Sequence, residues 1–390
     1  MQQPTLFFMK IRFYAHTNFR IFITMNVALV HDWLTGMRGG EKCLEVLCEL
    51  FPNAPIYTLL HNKGAMSPII ESKKIITSFI NVLPKKQTKY RSYLPLFPIA
   101  IEQFNFSEFD LVVSTSHAVA KGAKVRKNAL HICYCHTPMR YVWEQYDEYF
   151  GKGKADVVTR TAMKILRPYL QQWDVNTADR VHYYIANSEN VRKRIQRYYH
   201  RDAEVIFPPV DTELFSLSTR DEGYYLMVTA LVPYKRVDLA IHVFNALGEK
   251  LLIVGKGTET ERLKAIAKSN IEFLGWRSDQ ELAQLYAGCK ALIFPGEEDF
   301  GIVPLEAMAA GKPVIAFGKG GALETVVEGK TGTFFYEQTI DALRQAVRKA
   351  NAIEFDPQSI RHHALQFSRP IYKEKMKEFI NSKLQQHLFI

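Results

Sequence analysis

Several kinds of chemistry leave no trace in this chain of 390 residues. No apolar run reaches the roughly 18–20 residues that a helix needs to cross a bilayer. The phosphate loop GxxxxGK(S/T) is absent, as are HExxH and the cysteine–histidine spacing of a zinc site, so neither a P-loop nor a zinc site of those kinds has support. GxSxG is missing, which removes the nucleophile elbow. The cysteines number five, an odd count, with Cys133 and Cys135 one residue apart. That is no disulfide framework, and a reducing, cytoplasmic setting is expected. The first 24 residues are aromatic and basic, but Lys10, Arg12, His16 and Arg20 interrupt any signal-peptide core. They are expected to be an upstream extension outside the folded domains.

What is present suits large packed cores. Hydrophobic residues make up 47% of the chain, enough for two or three domains at this length. Fifty Lys and Arg against 40 Asp and Glu give a net charge of +10, which favours anionic partners. No recognisable nucleic-acid module arranges those basic residues, so nucleic acid is not an expected partner. NVALVHDW (26–33) reads as a strand, followed by a glycine turn and a helix with Cys43, Leu44, Leu47 and Leu50 on its buried face. PIYTLL (55–60), FDLVVSTS (109–116), LHICYCH (130–136) and VHYYIANS (181–188) are further strands. A second series starts near Tyr224 with YYLMVTAL, KLLIVGKG, IEFLG, KALIFPG and KPVIAFG. Short apolar strands alternating with helical or loop material indicate parallel sheets with crossovers. Pro208 and Pro209 cannot donate to a ladder and mark the boundary. The predicted organisation is an extension at 1–24, a first α/β unit at 25–204, a second at 205–365 and a basic amphipathic helix at 366–390. That helix either finishes the second unit or packs back on the first.

EEDFGIVPLEAMAAGKPVIAF (297–317) carries the densest signal. Pro304 suits the first turn of a helix, and Gly311 with Pro313 ends it. Gly301, Ile302 and Val303 then fall at the helix N-terminus, where free N–H groups receive phosphate oxygens. Glu306 is expected in the first turn and Glu298 in the loop before it. Either both carboxylates grip sugar hydroxyls beside an anion site, or they are a solvated helix start that suits the dipole. Lys235 and Arg236 lie between a strand and a helix, where adjacent cations bind a diphosphate or simply form a solvated turn. Gly39 and Gly40 permit close backbone approach before a helix. His136 stands at the carboxyl end of a strand, where ligands of open parallel sheets collect, unless it is simply a packed or solvent-facing histidine. Lys85, Lys86, Lys89 and Arg91 form a basic run without an acid, either a candidate acceptor or membrane surface or a basic cleft rim above ordinary core packing.

These residues also carry a resemblance. EEDFGIVPLEA resembles the Glu-x7-Glu motif of retaining nucleotide-sugar glycosyltransferases of family 4, the glycosyl transferases group 1. MRGGEK, YCHTPMRY, IANSENVRKRI, FPPVDTELF, VPYKRVDLAI and GKPVIAFGKGGALETV follow the same family in order, from about residue 26 to 365. The wording most resembles mannosyltransferases of O-antigen and exopolysaccharide assembly. The resemblance implies a GT-B fold, two Rossmann-like domains facing each other across a cleft, with acceptor on the first and donor on the second. It implies that Glu298 contacts the transferred sugar, Glu306 the ribose, and Lys235 with the Gly301–Val303 amides the leaving diphosphate. His136 would hydrogen-bond the sugar, Gly39 and Gly40 would approach the diphosphate, and Trp276 or Arg277 would meet the base. The implied donor is a nucleotide sugar, GDP-mannose by preference, without a metal. The implied acceptor is a polyprenyl-diphosphate-linked saccharide at the inner face of the cytoplasmic membrane. A nucleotide-sugar 2-epimerase and a non-catalytic sugar-nucleotide-binding protein are the alternatives. Two positions depart from the family: Ala230 stands where an arginine is usual, and Asp299 where a glycine is usual.

Overall fold

The computed structural model describes residues 25–151 and 156–388. The expected extension at 1–24 therefore lies outside the described residues. The first sheet comprises β1 (Val27–His31), β2 (Ile56–Thr58), β3 (Ile75–Thr77), β4 (Leu111–Ser116), β5 (Leu130–Cys135), β6 (Tyr183–Ala186) and β7 (Ala203–Val205). The second comprises β8 (Tyr224–Val228), β9 (Lys250–Val254), β10 (Ile271–Gly275), β11 (Leu292–Phe294), β12 (Val314–Phe317) and β13 (Gly332–Phe335). Their orders are β3-β2-β1-β4-β5-β6-β7 and β10-β9-β8-β11-β12-β13. Every pairing between these strands is parallel.

The apolar runs behave as strands buried on both faces. Along β1, Val27 and Leu29 join one hydrophobic cluster while Ala28 and Val30 join another on the opposite face. Along β8, Tyr224 and Leu226 face one core and Tyr225 and Met227 the other. Successive side chains of a strand point to opposite sides, so such strands need helices above and below. The helices that matter here are α1 (Gly39–Leu50), α2 (Val157–Asn176), α3 (Glu189–Tyr199), α4 (Val237–Leu247), α5 (Ile302–Ala309) and α6 (Arg369–Leu388).

Strands β3 and β13 go beyond the strands read from the sequence. Each is three or four residues long and closes a sheet edge, too short to show a period. Helix α6 crosses back to the first sheet. Tyr372, Met376, Ile380 and Leu384 recur every fourth residue and are buried in the cluster that holds Leu44 and Leu47 of α1. Arg369 and Lys373 then pair with Glu49, and Arg369 also with Glu45.

In each sheet the strand order reverses once, between β1 and β4 and between β8 and β11. Open parallel sheets gather ligands at the carboxyl ends of the strands flanking such a reversal. His31, His117 and the turn into α1 stand at the first of these points, and Pro295 to Asp299 at the second.

Candidate active site between the two sheets

Helix α5 begins at Ile302, and Gly301 caps it with φ +88°. A side chain at Gly301 would meet the Phe294 ring at 3.1 Å, so conformation and space both call for glycine. The first N–H groups of a helix lack intrahelical acceptors, which leaves those of Ile302 and Val303 to receive an anion. Pro304 stands within this first turn. The helix therefore starts earlier than the proline alone suggested, and Glu306 is one turn in rather than in the first turn. Its carboxylate accepts a 2.9 Å hydrogen bond from the Tyr286 hydroxyl. Burial raises its pKa, against the pull of Lys42 and of that hydrogen bond.

Lys235 ends a single 3-10 turn, Pro233–Lys235, and Arg236 follows in the left-handed region at φ +51°. The reversal turns the Lys235 ammonium toward Glu298, with which it is ion-paired. Arg236 is occupied within its own domain, by Asp238 at 3.4 Å and Gln338 at 3.1 Å. Ala230 is exposed at the end of β8 and supplies no charge.

The glycine turn and the histidine segment meet these groups from the first domain. A Cβ on Gly39 would lie 2.7 Å from the Ile302 side chain, so the start of α1 abuts the start of α5 across the domain boundary. A Cβ on Gly40 would lie 3.4 Å from His136 Nε2. That nitrogen is buried and has no hydrogen-bond partner among the described residues. Burial, then His117 and His31, lower the His136 pKa to about 3, so the imidazole is neutral near pH 7. A neutral imidazole aimed into the cleft can donate to or accept from a hydroxyl, but it brings no charge.

Beneath this turn lies a polar cluster that spacing did not single out. His31 Nδ1 meets Thr115 Oγ1 at 2.6 Å, and His31 Nε2 stands 3.7 Å from Glu41. Burial raises the Glu41 pKa, but His31 outweighs it and the net shift is downward. Asp32 accepts hydrogen bonds from the backbone N–H groups of His117, Ala118, Val119 and Ala120 at 2.6–2.9 Å. Its carboxylate also lies 3.1 Å from His117 Nδ1. The sequence signal was a single polar pair closing an apolar strand, in NVALVHDW.

Among the described residues, three sets of polar contacts bridge the two domains. Lys42 pairs with Asp211 at 2.8 Å. Glu324 accepts the N–H groups of Glu189 and Asn190, at the start of α3, at 2.7 and 3.0 Å. Asp299 is ion-paired with both Arg140 and Arg194. Beside it opens a cavity of about 1100 Å³, lined from the first domain by Asn190, Lys193 and Arg197 and from the second by Tyr234, Arg236 and Glu298.

Of the residues singled out in the sequence, Glu298 and Arg236 line this cavity. Gly39 meets Ile302 and Gly40 meets His136 at the domain boundary, and Lys235 reaches Glu298, but Gly39, Gly40, His136, Ile302 and Lys235 do not line it. Trp276 and Arg277 are not among the residues lining the cavity. Trp276 is exposed, and Arg277 pairs with Glu281 at 3.6 Å. The basic run lies elsewhere on the first domain. Lys86 turns inward to Asn81 and the His61 carbonyl, while Lys85 and Arg91 are exposed. The Lys89 side chain lies outside the described residues.

Two facing units of this build define the GT-B class. Solved structures share the architecture. Anabaena HepE in complex with UDP superposes with a TM-score of 0.67 at 19% identity, over 92% of this chain and 100% of that one. The model described as Glycosyltransferase Family 4 matches residues 53–214, and the adjoining model, Glycosyl transferases group 1, matches 211–364. With these two matches running end to end, the chain belongs to the family 4, group 1 glycosyltransferases. It is 27% identical over 212 residues to an uncharacterised glycosyltransferase of Methanocaldococcus jannaschii, covering 53% of this chain and 59% of that protein. It is also 27% identical over 252 residues to the alpha-1,3/1,6-mannosyltransferase ALG2 of Dictyostelium discoideum, covering 54% and 59%. The match thus spans little more than half the length of these curated relatives.

Proposed function

We propose that the protein is a retaining hexosyltransferase that moves a sugar from a nucleotide diphosphate to an acceptor hydroxyl. The observation that carries the reading is the Lys235–Glu298 pair beside the N-terminus of α5, one group cationic and the other able to hold sugar hydroxyls. As the bond from sugar C1 to the diphosphate oxygen breaks, negative charge grows on the leaving group. In this reading Lys235 and the Ile302 and Val303 amides stabilise that charge. The acceptor oxygen bonds to C1 on the same face, and its proton passes to a phosphate oxygen of the departing diphosphate. Glu298 and the neutral His136 orient the sugar, and Glu306 holds the ribose. Gly39 and Gly40 give the diphosphate room, and no metal enters the scheme. Trp276 or Arg277 is assigned to the base, which requires the nucleotide to reach past the cavity along the end of β10.

Mannose from GDP-mannose is the favoured donor, which the mannosyltransferase relative supports and the UDP complex of the Anabaena neighbour does not. The decisive experiment incubates the protein with GDP-mannose or UDP-glucose, with and without a polyprenyl-diphosphate-linked saccharide, in the presence of EDTA. Release of nucleoside diphosphate coupled to an extended α-linked product is the expected result. Conversion of the donor alone would identify an epimerase instead. Binding without turnover of any donor would leave a binding protein.

The acceptor is assigned to the membrane surface, with the protein peripheral on its cytoplasmic side. Support comes from α2, where Val158, Ala162, Ile165 and Tyr169 form one exposed stripe of a single helix face. An apolar stripe on a cationic domain suits an interface carrying anionic lipid. Among the described residues no helix is long and apolar enough to cross a membrane. Ile165→Glu combined with Tyr169→Glu is expected to cut sedimentation with phosphatidylglycerol-containing vesicles at least about fivefold. Unchanged sedimentation would remove the membrane from the reading.

A further inference from the structure

The aspartate that departs from the family pattern occupies a specific place. We propose that Asp299 is a positioning residue: gripped by Arg140 and Arg194, it fixes the loop bearing Glu298 against the loop bearing His136. The inference rests on the reading of the cleft as a sugar-transfer site, and it adds a device that brings the two half-sites into register.

The geometry is that of a bridge with one carboxylate and two guanidiniums. Asp299 Oδ2 accepts from Arg140 Nη2 at 2.5 Å, and Oδ1 accepts from Arg194 Nη1. The partners lie 159 and 105 residues away in sequence, so both bonds join the two domains. Side-chain exposures are 11% for Asp299, 25% for Arg140 and 14% for Arg194. Burial raises the Asp299 pKa, but Arg140 and then Arg194 outweigh it and hold the group below its ordinary range. The bridge is therefore charged throughout the range in which the protein would work.

Each end is anchored away from the bridge. Arg194 lies on α3, and its Nε donates to Glu144 at 2.5 Å. Arg140 follows His136 by four residues, and between them Thr137 and Met139 are buried. On the donor side, the carbonyl of Glu298 accepts the Gly321 N–H at 2.9 Å. The 298–299 segment is thereby tied to its own domain, and a displacement of Asp299 displaces Glu298 with it. Buried ion pairs contribute little net stability, and their best-attested use is to select one geometry. Here the selected geometry is the one in which the segment after His136 is tied through Arg140 to the residue after Glu298. A glycine at 299 would leave two largely buried guanidiniums with no shared counter-charge.

The remaining interdomain contacts do not do the same work. Lys42–Asp211 joins the start of α1 to the segment after the double proline, and Glu324 caps the start of α3, so neither ties the segment after His136 to the residue after Glu298. They keep the chain assembled when the bridge is cut, which makes the test feasible.

The test uses the full chain with one spin label in each domain, read by pulsed dipolar spectroscopy without substrate. Asp299→Asn, which keeps the shape and removes the charge, is expected to broaden the interdomain distance distribution and shift it to longer distance. Asp299→Glu, which keeps the charge for both guanidiniums, should retain much of the wild-type distribution. In turnover, Asp299→Asn should lower kcat by about ten- to a hundredfold, because a misplacement near 1 Å costs that much. Donor affinity by calorimetry should change less than about threefold, since Lys235, Glu306 and the amides at the start of α5, which hold the nucleotide and its diphosphate in this reading, all lie in the second domain. Identical distance distributions for wild type and Asp299→Asn would overturn the proposal, as would a kcat within about twofold of wild type. Because the distances are read without substrate, they remain informative even if the wild-type protein transfers no sugar. In that event the function reading fails while the bridge is judged by its distances.

Discussion

Replacing Lys235 by alanine is expected to lower kcat by about 10²–10³-fold, the usual cost of removing one preorganised group that meets developing charge. Lys235 is the cation paired with Glu298 near the start of α5, whereas Lys193 and Arg197 line the cavity from the first domain. Ala230 occupies the position where a family arginine would stand, and Arg236 is committed to Asp238 and Gln338. Lys235 itself is only 12% exposed, so its charge acts through protein rather than through bulk water. Its loss also leaves Glu298 without its partner, a carboxylate facing a diphosphate. Lys235→Arg should recover only part of the rate, because a planar fork does not reproduce a compact charge. The check is single-turnover transfer at saturating donor, with donor binding measured separately. A rate within about threefold of wild type would show that the diphosphate is stabilised elsewhere.

The largest effect on stability is expected at Asp32. This carboxylate is fully buried and accepts four consecutive backbone N–H groups, besides meeting His117. Alanine would remove the acceptor and leave those donors without water or partner. The cost is expected on the order of 3–5 kcal/mol, in line with breaking a buried charged group out of its network. Asparagine keeps the volume but offers one acceptor oxygen and turns an NH₂ toward donors, so it should cost roughly half as much. In a domain of this size such a loss lowers the midpoint of thermal unfolding by at least about 6 °C. Because two domains are present, the transition of the first should be followed on its own, for example by amide exchange along β1 and β4. A midpoint within about 2 °C of wild type for Asp32→Ala would contradict the assigned role.

These residues also show what could be read before the structure. Parallel strands announced themselves as apolar runs, and the second domain's helix-start chemistry was visible in Gly301, Pro304 and Gly311. Strand β13 was not, because a four-residue edge segment beginning with glycine carries no usable period. Proline fixed the first turn of α5 only to within a few residues, which is why Glu306 sits deeper than its spacing suggested. The contacts of Asp299 were out of reach for a different reason. They join residues more than a hundred positions apart, and side-chain charge along a chain has no period that says which domain it will face. Asp32 was legible as a polar residue at a strand end, but its four N–H partners belong to a loop 85–88 residues later.

The return of α6 to the first sheet bears on how the molecule is made. The chain passes between domains twice, and the crossings are stitched together: Val210 N–H donates to Phe367 and Arg369 N–H to Val210. Tyr372, Met376, Ile380 and Leu384 belong to the same core as β1 and α1. Domains ordinarily fold in the order in which they leave the ribosome. Here the first to emerge cannot close its core until the second has been synthesised in full, so the domain begun first is finished last.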